Sequence, residues 1–361
     1  MNNEYYIVPK GSNKPIYLDL SIGLFNLKQK LNIDYQINYY EFYYFLKVFE
    51  TIEKSLSIKN YIFYLTWSNL NRLPSYGQNV VAVILGDEWC LTPKYCHLVK
   101  AVFKCYGTSP TLEYNLLKPS YLNIMALFNF MRVYAFGMPG KVNYTLQNIK
   151  NERSGKVKYA SIYDIPLGYF NQINLPVKPI EDRLYDVSFA GSIEQRKMPS
   201  VWSLNYWLKS PKTIARKKML SAINIIKTKN PDIKFDLTIH SHFGASVGAD
   251  INNYCQKLMD TKICLVPRGT SLETYRFFEA IRYGCVVVTE ALPSRWFYND
   301  SPAIKVTDWS ELVEILDQLV DNPELMKKKH QESLDWWKTK CSEAAVADYI
   351  VRKLNHTEQL V

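Results

Sequence analysis

Cationic, hydroxyl and carboxylate side chains are concentrated in the segment from Ile263 to Val288. Guanidinium groups bind phosphate oxygens in pairs, and a carboxylate can accept hydrogen bonds from both hydroxyls of a ribose. Arg276 and Glu279 are three residues apart, so a helix would place them on one face, where an ordinary surface ion pair is the alternative interpretation. The candidate residues of this segment are Arg268, Gly269, Thr270, Ser271, Arg276 and Glu279.

The pattern around these residues predicts a strand, a loop, a helix and a second strand. We expect strands at Ile263–Val266 and Cys285–Val288, and a helix that begins near Leu272 and covers Glu273–Tyr283. The loop contains Pro, Gly, Thr and Ser, which favour a sharp turn with exposed backbone N–H groups. The positive end of the helix would point at this loop, an arrangement that suits a diphosphate.

The rest of the C-terminal half continues the alternation of strands and helices. Strands are expected at Tyr185–Ala190, where Gly191-Ser192 would break the strand, and at Phe235–Ile239. The predicted helices are Thr213–Lys227, Tyr254–Asp260, Ser310–Val320 and Pro323–Asn355.

The N-terminal half also alternates between strand-like and helical segments. A proline-containing linker from about 168 to 183 separates the two halves. The predicted strands are Tyr5–Val8, Tyr61–Thr66 and Val80–Leu85, and the predicted helices are Tyr40–Leu56 and Pro93–Tyr106, the latter ending at Gly107. This alternation is typical of parallel sheets covered by helices.

The central segment resembles a known family. It contains Cys264-Leu265-Val266-Pro267-Arg268-Gly269, then Arg276-Phe277-Phe278-Glu279-Ala280, then Gly284-Cys285-Val286-Val287-Val288. This order is similar to the core of the exostosin-like glycosyltransferases, which usually have Pro where this chain has Val287. The strand end Phe189-Ala190-Gly191 and the helical Arg216 also match the family.

The resemblance implies the GT-B fold, with two Rossmann-like domains facing each other across a cleft. Residues 1–170 would form the acceptor-binding domain and 171–330 the domain that binds a nucleotide sugar. Residues 331–361 would form a helix that packs back on the first domain.

The resemblance also assigns roles at the donor site. Arg268 and Arg276 would hold the diphosphate, and Glu279 the ribose. Gly191 and Ser192 would form the first loop at the donor, while Arg196 and His240 are secondary candidates. The expected reaction inverts the anomeric centre, with UDP as the first choice of nucleotide and GDP as the second.

Inversion requires a base that takes a proton from the acceptor hydroxyl. Asp87 and Glu88 follow the predicted strand Val80–Leu85, which would project them from the sheet, and we prefer Asp87. The alternative is that Asp87 only begins a turn. No Asp-x-Asp motif occurs, and the His and Cys residues lack zinc spacing, so we expect no metal and no cofactor other than the donor.

The overall composition limits the class of partner. The net charge of +10 fits nucleic acid, an anionic membrane surface or a phosphorylated ligand. The seven cysteines without CxxC spacing, and the absence of a signal peptide or membrane-spanning stretch, predict a cytoplasmic protein, with peripheral membrane contact left open. Two alternatives remain: a GT-B nucleotide-sugar enzyme of epimerase type, and a basic nucleic-acid-binding protein, although no nucleic-acid motif is recognised.

Overall fold

The computed structural model describes residues 3–9, 14–20, 42–56, 60–111, 120–155, 159–170, 173–193, 210–240 and 251–356. The chain divides into two compact units. The N-terminal unit consists of Met1–Pro110, Met131–Phe170 and Lys340–Val361, and the C-terminal unit consists of Thr111–Phe130 and Asn171–Thr339. Each unit is built on a sheet whose strands are largely parallel, so the predicted α/β class is confirmed.

The N-terminal unit contains a six-stranded sheet in the order β2-β1-β3-β4-β5-β6. Only the β1–β2 pair is antiparallel; the other pairs are parallel. The strands are β1 (Glu4–Val8), β2 (Ile16–Tyr17), β3 (Ile62–Thr66), β4 (Gly77–Ile84), β5 (Val99–Lys104) and β6 (Ser161–Asp164). Among the described residues before 160, the helices are α1 (Tyr43–Ser55) and α2 (Tyr121–Arg153).

The predicted helix Pro93–Tyr106 is wrong, because this segment contains β5. Strand β5 lies between β4 and β6, and its side chains at Ala101, Val102 and Phe103 are all buried. A strand buried on both faces has no alternation of polar and apolar residues, so its pattern is the same as that of a buried helix. The chain leaves β5 through Tyr106 and Gly107, which have φ angles of 61° and 58°.

The C-terminal unit contains a five-stranded parallel sheet in the order β11-β10-β9-β7-β8. Its strands are β7 (Tyr185–Ser192), β8 (Phe235–His240), β9 (Thr261–Val266), β10 (Val286–Thr289) and β11 (Ile304–Lys305). Its helices are α3 (Pro211–Lys229), α4 (Ile251–Met259), α5 (Tyr275–Arg282), α6 (Leu312–Val320) and α7 (Pro323–Trp336). Apolar residues of these strands form one core with α3 and α6, centred on the fully buried Trp309.

Three predicted boundaries in this half need correction. Strand β7 continues through Gly191 and Ser192 instead of breaking there, because both residues pair with β8. Helix α5 begins at Tyr275, not near Leu272, since the backbone of Thr274 is still extended. The single helix predicted from Pro323 is divided into α7, a π-helical turn at Trp337–Cys341, and α8 (Glu343–His356).

Helix α8 belongs to the N-terminal unit and packs on α1. The hydroxyl of Tyr44 donates to the carbonyl oxygen of Cys341 over 2.6 Å, and Tyr169 donates to the carboxylate of Glu343 over 2.5 Å. The first bond is buried and holds the start of α8 against α1. The second is half-buried and holds it against the segment that follows β6.

Candidate functional site

The C-terminal sheet has a topological switch point between β7 and β9. The chain passes from β7 to β8 on one side and then returns to β9 on the other side of β7. In open parallel sheets, ligands bind beyond the carboxyl ends of the strands at such a point. Gly191 and Ser192 end β7, Pro267 and Arg268 follow β9, and Glu290 follows β10, so these residues lie at the same edge.

The loop after β9 folds back on itself before α5 begins. The N–H of Gly269 donates to the carbonyl oxygen of Ser271 over 2.9 Å, and the Ser271 hydroxyl accepts from the N–H of Glu273 over 3.2 Å. Thr274, the residue before α5, forms no side-chain capping bond, and its buried hydroxyl has no hydrogen-bond partner. The positive end of α5 is therefore not capped by the side chain of Thr274, which suits an anionic ligand.

Two guanidinium groups converge above Gly191. A Cβ atom at this position would lie 2.7 Å from Nη2 of Arg276 and 3.3 Å from Nη1 of Arg216. The same two groups lie over the Phe189 ring, at 5.1 Å for Arg276 and 5.8 Å for Arg216. A residue larger than glycine at 191 would displace the guanidinium of Arg276 from this position.

Arg216 is buried and is held by backbone carbonyl groups. Its Nε donates to the carbonyl oxygen of Arg268 over 3.2 Å, and its Nη1 donates to the carbonyl oxygen of Ser192. Burial, and then the positive charge of Arg276, lower the pKa of Arg216 to about 9. The two guanidinium groups over the Phe189 ring thus place like charges close together at the switch point.

Arg268 and Glu290 connect the ends of β9 and β10. The backbone N–H of Arg268 donates to the Glu290 carboxylate over 3.2 Å, and the indole N–H of Trp309 donates to the same carboxylate over 3.0 Å. Burial lowers the pKa of Arg268, although the negative charge of Glu290 opposes this effect. Burial also raises the pKa of Glu290, against the opposing charge of Arg268.

Glu290 is the carboxylate whose charge acts on Arg216 and Arg268, but it forms no close ion pair with them. In the described part of the chain, none of Arg216, Arg268 and Arg276 forms an ion pair within 4.0 Å. The Nε atoms of Arg268 and Arg276 are buried and have no hydrogen-bond partner. Three cations that lie together, with one of them buried and two partly buried, outnumber the Glu290 carboxylate beside them, so the geometry suits an anion-binding site.

Glu279 lies on the same helix as Arg276 but is buried. It accepts a hydrogen bond of 2.9 Å from the hydroxyl of Tyr254, which is on α4. Burial, followed by the charge of Glu279, raises the pKa of Tyr254 well above its usual value. In this structure Glu279 joins α5 to α4, and only 5% of its surface is exposed.

The remaining donor-site predictions fall near the same edge. The Ser192 hydroxyl accepts a bond of 2.9 Å from Nζ of Lys212, and the backbone of His240 pairs with Ser192 in β8. Thr270 is exposed in the loop. Arg196 lies outside the described residues. The structure therefore brings together Gly191, Ser192, Arg268 and Arg276.

Asp87 and Glu88 lie in the N-terminal unit, directly after β4. Asp87 is buried, forms an ion pair of 3.1 Å with the fully buried Lys104, and accepts backbone N–H bonds from Trp89 and Leu91. Both of its carboxylate oxygens are therefore used to hold the loop, which corrects our preference for Asp87 as the base. Glu88 is exposed on the same loop.

Sequence reasoning did not include several residues of this edge among the site candidates. Arg216 and Lys212 are four residues apart at the start of α3, a spacing that places both on one face. Glu290 directly follows the strand β10, and a polar residue at the carboxyl end of a parallel strand could have been identified as a site candidate. Arg295 donates from Nε and Nη2 to one oxygen of the buried Glu273, over 3.0 and 2.8 Å, and so holds the loop before α5.

Comparison of the sequence supports the predicted family. Residues 205–356 match the RXYLT1 C-terminal domain. The chain is 33% identical to Exostosin-1b of Danio rerio over 87 residues, which is 24% of this chain and 11% of that protein. It is 32% identical to Exostosin-1 of Bos taurus over 84 residues, again 11% of the relative. The chain therefore spans about a tenth of the length of these relatives.

Two solved structures show limited similarity over a larger part of the chain. The crystal structure of the DNA-modifying enzyme β-glucosyltransferase is 11% identical, with a TM-score of 0.42, and covers 98% of this chain and 100% of that one. Staphylococcus aureus TarM, in complex with fondaparinux, α-GlcNAc-glycerol and UDP, is 11% identical, with a TM-score of 0.42, and covers 86% of this chain and 58% of that one.

Proposed function

We propose that this protein is a glycosyltransferase that moves a sugar from a nucleoside diphosphate sugar to a hydroxyl group of a glycan or glycoconjugate. The observation that carries the proposal is the cluster of Arg216, Arg268 and Arg276 at the switch point of the C-terminal sheet. The match of residues 205–356 to the RXYLT1 C-terminal domain, and the partial similarity of the chain to Exostosin-1b, support the same class.

The cations would bind the diphosphate and stabilise it as the leaving group. Arg268 and Arg276 present guanidinium nitrogens without carboxylate partners, and α5 adds the positive end of a helix. Such fixed positive groups stabilise the negative charge that develops as the sugar–phosphate bond breaks. We propose that these groups replace a metal ion in this reaction.

Glu279 would accept hydrogen bonds from the ribose hydroxyls, beside its bond to Tyr254. Thr270 and Ser271 would contact the phosphates or the sugar from the loop after β9. UDP is the nucleotide that we propose, because the residues of this segment resemble those of the exostosin-like family.

Glu88 is the residue that we propose as the base of an inverting reaction. It is exposed, whereas Asp87 beside it is used to neutralise Lys104. In this scheme Glu88 removes the proton from the acceptor hydroxyl as its oxygen attacks the anomeric carbon, and the nucleoside diphosphate leaves from the opposite face. Cytoplasmic location stays a prediction.

The test begins with nucleotide binding. Isothermal titration of the full chain with UDP, GDP, CDP and dTDP, with and without EDTA, should show binding of UDP that EDTA does not weaken. A nucleotide-sugar hydrolysis assay followed by NMR of the product should then show an inverted anomeric configuration. Absence of binding to all four nucleotides would contradict the donor site. Conversion of the nucleotide sugar into its epimer, with no release of the nucleoside diphosphate, would instead favour an epimerase-type enzyme.

A further inference from the structure

Helix α2 carries apolar side chains on the face that points away from the N-terminal unit. In its section Met131–Arg153, the buried face includes Val133 and Gly137. A Cβ atom at Gly137 would lie 3.3 Å from the carbonyl oxygen of Cys90, and one at Gly140 would lie 3.5 Å from Cβ of Thr92. These glycines allow the helix to lie close to the loop that follows β4, and they define its inner side.

The opposite side of this section is apolar and exposed. With 100° per residue, the side chains of the outer stripe lie within one sector of the helix, about half a turn from Val133. Their exposed fractions are 57% for Met131, 59% for Leu146 and 42% for Ile149. The members of the outer stripe are Met131, Ala135, Val142, Leu146 and Ile149. An ordinary surface helix has the reverse arrangement, with polar residues outside.

Basic and aromatic residues surround the outer stripe. In this section four residues are basic and one, Glu152, is acidic. Lys150 and Arg153 are exposed near the end of the helix. At the other end, Arg132 lies 4.9 Å from the centre of the Trp89 ring, and the exposed Phe136 packs edge-on against Trp89 with 5.5 Å between ring centres.

We infer that the outer stripe binds the surface of an anionic lipid bilayer. Apolar side chains would enter the boundary between headgroups and acyl chains, while Lys150 and Arg153 would contact the lipid phosphates. The aromatic rings of Trp89 and Phe136 would lie at the same level, where such rings are favoured. In the part of the chain that the structure describes, no helix is long and apolar enough to cross a membrane, so α2 would lie along the surface.

Charge favours the membrane over a second copy of the chain. Two outer stripes packed together would bring Arg132, Lys150 and Arg153 of one copy close to the same cations of the other. An anionic lipid surface instead neutralises these groups. The inference does not depend on the proposed function, because nucleotide binding uses residues of the C-terminal unit.

Vesicle co-sedimentation of the full chain tests this inference. The wild type should sediment with vesicles of phosphatidylcholine and phosphatidylglycerol, release at high salt, and stay in solution with vesicles of phosphatidylcholine alone. Met131→Glu/Leu146→Glu and Lys150→Glu/Arg153→Glu should each weaken binding to the anionic vesicles roughly tenfold or more. Ile225→Glu, a change at an apolar residue of α3 that is 60% exposed, is the matched control and should bind like the wild type.

Unchanged thermal unfolding and UDP binding of the variants would show that the fold is intact. Equal sedimentation of the wild type with neutral and anionic vesicles, or no sedimentation with either, would overturn the inference. Wild-type binding by both double variants would do the same. A dimer in light scattering that Met131→Glu/Leu146→Glu dissociates would show that a second copy covers the outer stripe instead.

Discussion

Replacement of Arg276 by alanine separates ligand binding from folding at the switch point. Arg276 is the second residue of α5, and its guanidinium lies above Gly191 with an unpartnered, buried Nε. A hydrogen bond to a charged group contributes about 1.5–3 kcal/mol. Loss of a paired contact to a diphosphate should therefore cost about 3 kcal/mol, which corresponds to a Kd for UDP that is about a hundredfold weaker.

The free protein should lose little stability in the same variant. The contact between the Arg276 guanidinium and the Phe189 ring, 5.1 Å apart, contributes about 0.5–1 kcal/mol. This loss is offset because the charge of Arg276 no longer opposes that of Arg216, whose pKa it helps to lower. We expect the free energy of unfolding, measured in urea without ligand, to change by less than about 1 kcal/mol.

Arg282→Ala is the matched control for this experiment. It removes an arginine from the last turn of the same helix, where Nη2 donates to the Asn174 side chain over 3.1 Å, and it should leave UDP affinity unchanged. Arg276→Lys should give an intermediate affinity, because an ammonium group keeps the charge without the paired donors. An unchanged Kd in Arg276→Ala would refute the donor assignment, and an equal loss in Arg282→Ala would show a general effect of charge.

Four further changes test other residues. Gly191→Ala should weaken UDP binding about tenfold in calorimetry, since its Cβ would lie 2.7 Å from Nη2 of Arg276; unaltered binding would show that the arginine can move at no cost. Glu88→Gln should abolish sugar transfer without a change in UDP affinity, and full turnover of this variant would exclude Glu88 as the base. Asp87→Asn should instead lower the free energy of unfolding in urea by about 3 kcal/mol, because Lys104 would lose its buried partner. The pKa of the Glu290 carboxyl group is raised in the folded state, so the folded protein binds a proton at this group more tightly than the unfolded chain does. The stabilisation that results is fully present below the usual pKa of 4.5 and is lost as the pH rises through the raised pKa. Glu290→Gln should remove this decline in the free energy of unfolding with pH, as measured in urea. An identical pH profile for the variant and the wild type would contradict the explanation.

The alternation of strands and helices was predictable from the sequence, but several elements were not, and β5 and α2 are the longest of these. Strand β5 is buried on both faces, so its apolar residues lack the period of two that marks a half-buried strand. Helix α2 was not predicted because apolar residues occur on its inner and outer sides, and Pro139 lies within it. Periodicity identifies an element only when one side is polar, and neither element meets this condition.

The candidate donor site was predictable to the extent that it lies on contiguous residues. Arg268 and Arg276 belong to one continuous strand–loop–helix segment, so their closeness along the chain also makes them close in space. Arg216 and Glu290 come from α3 and the end of β10, and only the strand order brings them to the same edge. The preference between Asp87 and Glu88 depended on Lys104, which is 17 residues from Asp87 in the sequence and cannot be recognised as its partner before folding.

The cation cluster has an energetic consequence for the free protein. At neutral pH Arg216 carries its charge, since its pKa is lowered only to about 9, and it lies beside Arg268 and Arg276 at this edge of the sheet. Their mutual repulsion and incomplete hydrogen bonding therefore oppose folding of this edge in the absence of an anion. A diphosphate would relieve both effects at once, so its binding should stabilise the C-terminal unit by more than its contacts alone suggest.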